Sequence, residues 1–359
     1  MKKIKSVMAL LLSVSIFSLV GCSSETAEGN DKILLAEVAH SVFYAPQYVA
    51  IEKGFFEEEG IEIELVGAQG ADKTMASLLS KEVQIGFMGP EASIYIHNQG
   101  SADYAISFAQ LTKRDGSFLV GRYPEPNFEI SDLAGKEIIG GRPGGVPLMS
   151  LEYVIKQSGI EVGEDVGNGQ ANVRSDVQFS VMAGAFLGGE GDYVSLFEPT
   201  PTTMENDGTG YIVASLGEQS GELPYTAYCA LDSYIEENPD IIQRFTNAIY
   251  KGQQFVKDAE AAEIAEIISP QFIEIELEDL TTIVQRYKDI DAWSETPILE
   301  EESFNRLMDI MDLAGELTER ADFNALVDNQ FAIEAVKSNA TKALLAQDVT
   351  PIFELEVME

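Results

Sequence analysis

The residue types on which enzymes most often rely are scarce in this chain. Two histidines, His40 and His97, and two cysteines, Cys22 and Cys229, are present in 359 residues, and their spacing matches no zinc site. The sequence also lacks the Gly-x-Ser-x-Gly turn of serine hydrolases and a phosphate-binding Gly-Lys-Ser/Thr loop. We therefore expect neither a metal nor a cofactor, and a protein that binds its target without transforming it.

Acidic residues dominate the charge balance. Sixty Asp and Glu stand against 23 Lys and Arg, which gives a net charge of −37 at pH 7. Such a chain repels the phosphates of nucleic acids and the headgroups of anionic lipids, so no nucleic acid is expected among its partners. Two cysteines are too few for a disulfide framework, and we expect Cys229 to be a small buried residue.

The N-terminus has the pattern of an export signal. Lys2, Lys3 and Lys5 precede an apolar run over residues 7–20, which ends in Gly21-Cys22. The run is too short for a confident membrane span. The whole pattern resembles a bacterial lipobox, which implies cleavage before Cys22 and a lipid on its sulfur. Residues 1–21 are thus predicted to be a lipoprotein signal peptide and residues 22–31 a flexible tether, and the anchored protein would lie outside the cytoplasmic membrane.

Alternating strands and helices must position any binding residues. An apolar strand over 33–38 leads into the aromatic pair Phe43 and Tyr44, then into a helix that can begin at Pro46 and end at Gly54. The same alternation continues to residue 111, which favours a mostly parallel sheet covered on both faces. Such sheets bind ligands at the carboxyl ends of their strands, so the aromatic pair is predicted either to line a pocket or to belong to the core.

Two lobes follow from the order of the elements. A Pro-rich stretch over 122–127 is the expected crossover into a second α/β lobe, and a strand over 225–231 is expected to return the chain to the first. The remainder has helical spacing of apolar residues, and its last helix is expected to bridge both lobes. We predict an α/β fold with lobe 1 over 32–120 and 221–359, including the C-terminal helices, and lobe 2 over 121–220.

Four motifs in this order carry a family resemblance. They are a helix pattern over 45–61 that ends in Gly-Phe-Phe-x-x-x-Gly, a strand and small loop over 83–91, Leu-Ala-Gly-Lys-Glu-Ile over 133–138, and Phe-Glu-Pro over 197–199. Behind a lipobox, the chain resembles the solute-binding proteins of ABC importers for aliphatic sulfonates, taurine, nitrate and thiamine-pyrimidine precursors. The resemblance implies a type II periplasmic-binding-protein fold with a hinged interlobe cleft and a helical C-terminal tail. It also implies a monomer whose partners are a small-molecule ligand and an ABC permease with its cytoplasmic ATPase.

The resemblance further implies ligand contacts on both walls of the cleft. The first wall would contain His40, Phe43, Tyr44, Gln69, Gly89, Pro90 and Glu91, the hinge Gln110 and Tyr225, and the second wall Arg142, Gly144, Gly145, Arg174 and Glu198.

The composition of these walls bears on the ligand. The second-wall loop over 142–147 lacks the hydroxyl that sulfonate-binding members often carry, and Arg142 either replaces it with a bidentate grip or faces solvent. The two aromatic rings can stack on a flat ring, while Glu91 or Glu198 can accept hydrogen bonds from ring amino groups. Glu198 has an equally good alternative as a carboxylate at a helix N-terminus. We expect a pyrimidine or thiamine precursor in preference to a sulfonate, taurine or nitrate.

Two other functions use the same features. An enzyme of pyrimidine-precursor synthesis can share the fold, although the lipobox and the shortage of histidines oppose it. A ligand-sensing lipoprotein that signals without transport is the other alternative. Neighbouring genes discriminate these readings, because a permease and an ATPase favour import and a histidine kinase favours sensing.

Overall fold

The computed structural model describes residues 30–347, and its ten strands form two five-stranded sheets. Cys22 lies outside the described residues, so its predicted lipidation stays a prediction. In chain order the strands are β1 (Asp31–Glu37), β2 (Ile61–Gly67), β3 (Ile85–Met88), β4 (Ala105–Thr112), β5 (Ser117–Gly121), β6 (Glu137–Ile139), β7 (Asn172–Arg174), β8 (Tyr193–Phe197), β9 (Tyr211–Ser215) and β10 (Thr226–Leu231).

Each sheet forms the centre of one lobe. The strand order is β2-β1-β3-β10-β4 in the first sheet and β7-β6-β8-β5-β9 in the second. In the first, β1 is parallel to β2 and β3, and β10 runs antiparallel to both of its neighbours. In the second, β6 is parallel to β7 and β8, and β5 is antiparallel to β8 and β9. The predicted two-lobed α/β class is confirmed.

Fifteen α-helices cover the sheets within the described residues. They are α1 (Ala45–Glu52), α2 (Phe55–Glu58), α3 (Ala71–Leu79), α4 (Glu91–Asn98), α5 (Val146–Gln157), α6 (Met182–Leu187), α7 (Thr200–Asn206), α8 (Leu216–Ser220), α9 (Asp232–Glu237), α10 (Pro239–Asp258), α11 (Ala261–Ile268), α12 (Leu277–Asp289), α13 (Glu301–Leu313), α14 (Phe323–Leu326) and α15 (Gln330–Gln347). None of them is long and apolar enough to cross a membrane.

The aromatic segment after β1 folds as its residue types dictate. Residues Val42–Tyr44 make a 3-10 turn, and Ser41 caps it by accepting a hydrogen bond from the Phe43 N–H at 3.3 Å. Pro46 then lies in the first turn of α1, where its missing N–H leaves no bond unmade. Gly54 separates α1 from α2 with φ of 73°, a left-handed conformation that glycine adopts without strain.

The chain crosses between the lobes twice, over residues 113–116 and 216–225. The two crossings lie side by side, because the Tyr225 N–H donates to the Thr112 carbonyl at 3.2 Å. The first crossing comes earlier than the predicted one at 122–127, since β5 already pairs with β8 and β9 in the second sheet. The Pro-rich stretch is instead an exposed turn that follows β5. Proline marks the turn, but sequence alone does not say which sheet the preceding strand joins.

The C-terminal helices pack mainly on the first lobe, and two of them reach the second. Helix α10 packs on α1, α15 on α10, and α12 on α11. The bridging helices are α12, whose Arg286 contacts Glu198 at 2.8 Å, and α13, whose Leu313 carbonyl accepts from Lys156 Nζ at 3.0 Å. The last helix, expected to bridge both lobes, packs mainly on α10 and β4 of the first lobe.

Candidate functional site

A groove of about 460 Å³ runs along the junction of the two lobes. Its walls come from α3 and α4 of the first lobe, from the loop before α5 of the second, and from Glu316 after α13. Glu91, Arg142 and Gly144, three of the predicted ligand contacts, line it. The groove is thus the place where a solute would touch both lobes at once.

Direct contacts hold the lobes together beside this groove. The Tyr95 hydroxyl donates to the Gly144 carbonyl at 3.1 Å, and Arg142 forms an ion pair with Asp72 at 3.3 Å. Near the crossings, the Ser41 hydroxyl donates to the Glu198 carbonyl at 3.2 Å. These bonds join residues of opposite lobes at several points, so the lobes are closed on one another.

An aromatic cluster lies behind the groove at the hinge. The Phe43 ring centroid is 5.2 Å from that of Tyr287, 5.6 Å from that of Tyr225 and 5.9 Å from that of Phe197. Such separations suit edge-to-face and tilted aromatic packing. The rings come from both lobes, and Phe43 lies so close to Gly116 that an added Cβ there would be 2.5 Å from its ring. Closure of the lobes therefore completes the cluster.

Within residues 30–347, several buried polar atoms of the two lobes and their crossings have no partner in hydrogen-bond geometry. They are Glu91 Oε2, Asp115 Oδ2, Ser150 Oγ, Ser195 Oγ and the Tyr225 hydroxyl. All five side chains are at most 4% exposed. An unpaired buried polar atom costs about 1–3 kcal/mol, and native proteins keep few of them. A cluster of such atoms between two lobes is what a polar ligand would satisfy.

Glu91 is the most deeply buried charged residue of the groove. Burial raises its pKa to about 7, against the lowering effects of Arg142 and of the backbone N–H groups of Glu91, Ala92 and Val146. Its carboxyl folds back over Gly89, where an added Cβ would lie 1.9 Å from Glu91 Oε2. Only glycine leaves room for this position of the carboxyl.

Asp115 is a second buried carboxyl, in the first crossing. Its Oδ1 accepts from the N–H and the hydroxyl of Ser117, at 2.7 and 2.6 Å. Burial raises its pKa to about 6, while the Ser117 hydrogen bonds and the nearby Ser150 and Tyr225 hydroxyls lower it. Burial and the charges of Asp115 and Glu91 also raise the pKa of Tyr225 well above its ordinary value. Tyr225 therefore connects the two carboxyls electrostatically.

The structure brings most of the predicted residues to the junction. Phe43 and Tyr44 are 1% and 4% exposed, and Tyr44 packs on Phe87 with ring centroids 4.5 Å apart. They belong to the core and to the hinge cluster at once, so the two sequence-based alternatives are not exclusive. The residues that precede α4 and α5 are also here, namely Gly89, Pro90, Gly144 and Gly145.

Five predicted contacts lie outside the lining of the groove. His40 is partly exposed and bonds Glu37 Oε1 and the Gln271 carbonyl, both at 2.9 Å, and the hydrogen bond to Glu37 raises the pKa of His40. Gln69 is exposed in a loop with φ of 63°. The Gln110 side-chain amide donates to the Thr112 carbonyl at 3.1 Å. None of these three lines the groove, and none stays in the proposed site.

Arg174 and Glu198 are held in ion pairs outside the groove. Arg174 lies on the edge strand β7 and pairs with three carboxylates of its own lobe, those of Glu137, Asp176 and Glu190. Glu198 is 1% exposed and accepts from the Thr202 N–H at 3.0 Å, from the Thr202 hydroxyl and from Arg286. Its place at the start of α7 matches the alternative reading of a helix-N-terminal carboxylate. Both residues leave the proposed site.

Sequence reasoning missed Asp115, Ser150 and Ser195. Asp115 precedes Gly116-Ser117, and an Asp that bonds the residue two positions on is a turn pattern that marks a break in regular structure. Ser150 and Ser195 stand inside apolar stretches of α5 and β8, where a hydroxyl is unusual. These signals were visible, but only the fold brings Ser150 close to Asp115.

Two α/β lobes, two adjacent crossings and a groove between the lobes define the periplasmic-binding-protein fold. The chain belongs to the NMT1/THI5-like family, whose model matches residues 42–262. The predicted family and fold are therefore confirmed.

A curated relative and two solved structures place the chain further. YtlA of Bacillus subtilis (strain 168), described as a candidate binding protein, is 42% identical over 317 residues, which are 88% of this chain and 93% of the relative. The alkanesulfonate-binding protein SsuA from Xanthomonas axonopodis pv. citri, bound to MOPS, has a TM-score of 0.64 at 14% identity, over 83% of this chain and 98% of that chain. The nitrate-binding protein NrtA from Synechocystis PCC 6803 has a TM-score of 0.64 at 17% identity, over 90% and 91%. At such identities the two structures support the fold.

Proposed function

We propose that this protein is the solute-binding component of an ABC importer and captures a small organic solute by closing its two lobes. A relative at 42% identity that is described as a candidate binding protein supports this assignment. The closed lobes, joined by bonds such as Tyr95 to Gly144, support the mechanism. The protein acts outside the cytoplasmic membrane as a monomer, anchored by a lipid on Cys22, and delivers its solute to a permease with a cytoplasmic ATPase.

Closure of the lobes depends on the bound solute. A ligand shifts the equilibrium between open and closed lobes only by its difference in affinity for the two states. Glu91 belongs to the first lobe and Ser150 to the second, and both carry unpaired buried atoms in the closed arrangement. A solute that bonds both of them stabilises the closed state and no other.

The observation that carries the proposed ligand class is the pairing of aromatic rings with unpartnered acceptors. Asp115 Oδ2 and Glu91 Oε2 can accept hydrogen bonds from amino groups, and Tyr95 on the groove wall offers an aromatic ring. Ring stacking with N–H donation fits a nitrogen heterocycle. A pyrimidine or thiamine precursor is therefore favoured over a sulfonate, taurine or nitrate.

A thermal-shift screen tests this function directly. The purified protein is heated with pyrimidines, thiamine, flavins, alkylsulfonates, taurine and nitrate, because a ligand that binds only the native state raises the melting temperature. We expect a rise with an amino-bearing pyrimidine, confirmed by calorimetry at a ratio near one to one. Recovery of the unchanged solute from the complex separates binding from turnover. Absence of a shift with every solute would count against the proposed function.

A further inference from the structure

The Glu91 carboxyl lies where two helices from opposite lobes begin. Helix α4 starts at Glu91 itself and α5 starts at Val146. The backbone N–H groups of Ala92 and Val146, at the starts of these two helices, favour the ionised form of this carboxyl. Helix N-termini attract anions through their free N–H groups and the helix dipole. The protein's own carboxylate therefore takes the position that an anionic ligand would seek between the lobes.

The carboxyl is both fixed and incompletely satisfied. Glu91 is 2% exposed, and its Oε2 has no hydrogen-bond partner. The side chain folds back over Gly89, and Glu91 is one of the residues that line the groove. A buried carboxylate oxygen accepts hydrogen bonds and cannot donate them when ionised. A group that completes it must therefore bring an N–H or O–H donor.

The charges around the groove also favour a solute with N–H or O–H donors over an anion. Asp72, Glu91 and Glu316 contribute carboxylates to its walls, and Arg142 contributes the one cation among them. Arg142 is already paired with Asp72 at 3.3 Å. An additional anion here would meet an excess of negative charge in a partly desolvated space, where like charges repel strongly.

We propose that Glu91 sets the charge of the solute, so that the site takes an aromatic base with positively charged or amino N–H groups and rejects carboxylates, sulfonates and nitrate. This inference rests on the proposed function and deepens it, because it assigns the choice between bases and anions to one residue. Glu91 is a specificity-determining residue that contacts the solute directly. The rest of the groove contributes shape and apolar surface.

Two probes of one shape and opposite charge test this assignment. Benzamidine and benzoate have nearly the same outline, and one presents two N–H donors with a positive charge where the other presents two oxygens with a negative charge. Binding of each is measured by thermal shift and calorimetry at constant ionic strength. The proteins are the wild type, Glu91→Gln and Glu263→Gln, with neutral 4-aminopyrimidine and benzenesulfonate on the same plate.

The control variant matches the chemistry of Glu91 away from the groove. Glu263 is an exposed carboxylate in the first turn of α11. We expect the wild type and Glu263→Gln to bind benzamidine at least about tenfold more tightly than benzoate, as a complementary charge requires. Glu91→Gln should lose at least about tenfold in benzamidine affinity and gain in benzoate and benzenesulfonate affinity. The melting temperature of Glu91→Gln without probes is the control for its folding.

A pH series gives a second readout. Because the pKa of Glu91 is about 7, benzamidine binding to the wild type should strengthen between pH 6 and 8, and binding to Glu91→Gln should not. The charged or titratable groups coupled to Glu91 are Arg142 from the loop before α5, Tyr95 from α4, Tyr44 after β1, and Tyr225 and Cys229 at β10. The tyrosines and the cysteine titrate well above this range.

Failure of this inference is distinguishable from failure of the proposed function. Wild-type protein that prefers benzoate or benzenesulfonate would overturn the charge assignment and leave solute binding intact. Unchanged affinities in Glu91→Gln would overturn it too. A wild type that responds to 4-aminopyrimidine but to neither charged probe would also refute the role of Glu91, whereas no response to any solute of either screen would count against solute binding itself.

Discussion

The Arg286 guanidinium donates to Glu198 Oε1 at 2.8 Å and so ties α12 to the second lobe. Glu198 has no exposed side-chain surface and Arg286 is about a quarter exposed. Arg286 also donates to the Thr202 hydroxyl and pairs with Glu205. Helix α12 packs on α11, which packs on α1 of the first lobe. This ion pair therefore stabilises the contact between the lobes from outside the groove.

Removal of Arg286 should be costly. Arg286→Ala leaves the Glu198 carboxylate buried without its counter-charge, and we expect a loss of about 2–4 kcal/mol in the free energy of unfolding. The matched control is Arg320→Ala, because Arg320 pairs with Asp309 where both side chains are well exposed. Urea unfolding of that variant should show a loss below about 1 kcal/mol. Equal losses in the two variants would show that burial of Glu198 does not matter.

Tyr225→Phe should separate stability from ligand binding. Among the described residues the Tyr225 hydroxyl has no partner in hydrogen-bond geometry, so its removal should leave the unfolding free energy within about 0.5 kcal/mol of the wild type. Tyr228→Phe is the control, because the Tyr228 hydroxyl donates to Gln47 Oε1 at 2.9 Å and its loss should cost about 1–2 kcal/mol. Calorimetry with the solute found in the screen should show roughly fivefold weaker binding for Tyr225→Phe. Unaltered affinity would remove this hydroxyl from the site.

The hinge should not tolerate a methyl group at Gly217. An added Cβ there would lie 2.2 Å from the Asp115 carbonyl in the other crossing. Gly217→Ala must push the two crossings apart, and we expect a destabilisation of about 1–3 kcal/mol. Gly184→Ala in α6 is the control, since its Cβ would meet no atom within 4 Å and alanine favours a helix by about 0.5–1 kcal/mol. Thermal unfolding should move in opposite directions for the two variants.

Glu91 should make stability fall as the pH rises. The pKa of Glu91 is raised from its ordinary value of 4.5 to about 7 by burial, so the folded protein binds this proton more tightly than the unfolded chain does. The contribution is fully present below pH 4.5 and is lost as the pH passes 7. Glu91→Gln removes it, and the variant should gain up to about 3 kcal/mol relative to wild type between pH 4.5 and 8. Urea unfolding at several pH values without ligand measures this difference in unfolding free energy. A difference that does not change with pH would contradict the prediction.

The sequence predicted the elements well where local signals agree. Pro46 and Gly54 bound α1 as their backbone preferences require. Strand β10 begins at Thr226, one residue after its predicted start at 225. The two-lobed class followed from the alternation of strands and helices. The first crossing was misplaced because Pro124 and Pro126 mark a turn with equal strength whether or not the chain changes sheets.

The site was harder to predict because charged residues have many possible partners. Arg174 and Glu198 have the residue types of ligand contacts, yet each is neutralised by side chains distant in sequence. Asp115 shows the reverse case, since its bond to Ser117 looks like an ordinary turn and only the fold exposes the unpaired Oδ2 at the junction. Pairing between residues far apart in the chain leaves no trace in the local sequence.

Helices α12 and α13 have a consequence for how occupancy can be communicated. Both belong to the C-terminal region and both contact the second lobe, through Arg286 and through the Leu313 carbonyl. Their position relative to that lobe must change whenever the lobes separate. By thermodynamic reciprocity, a membrane partner that binds these helices more tightly when the lobes are closed would raise solute affinity by the same factor by which solute raises its own binding. A membrane partner that binds these helices more tightly when the lobes are open would lower the solute affinity without touching the groove.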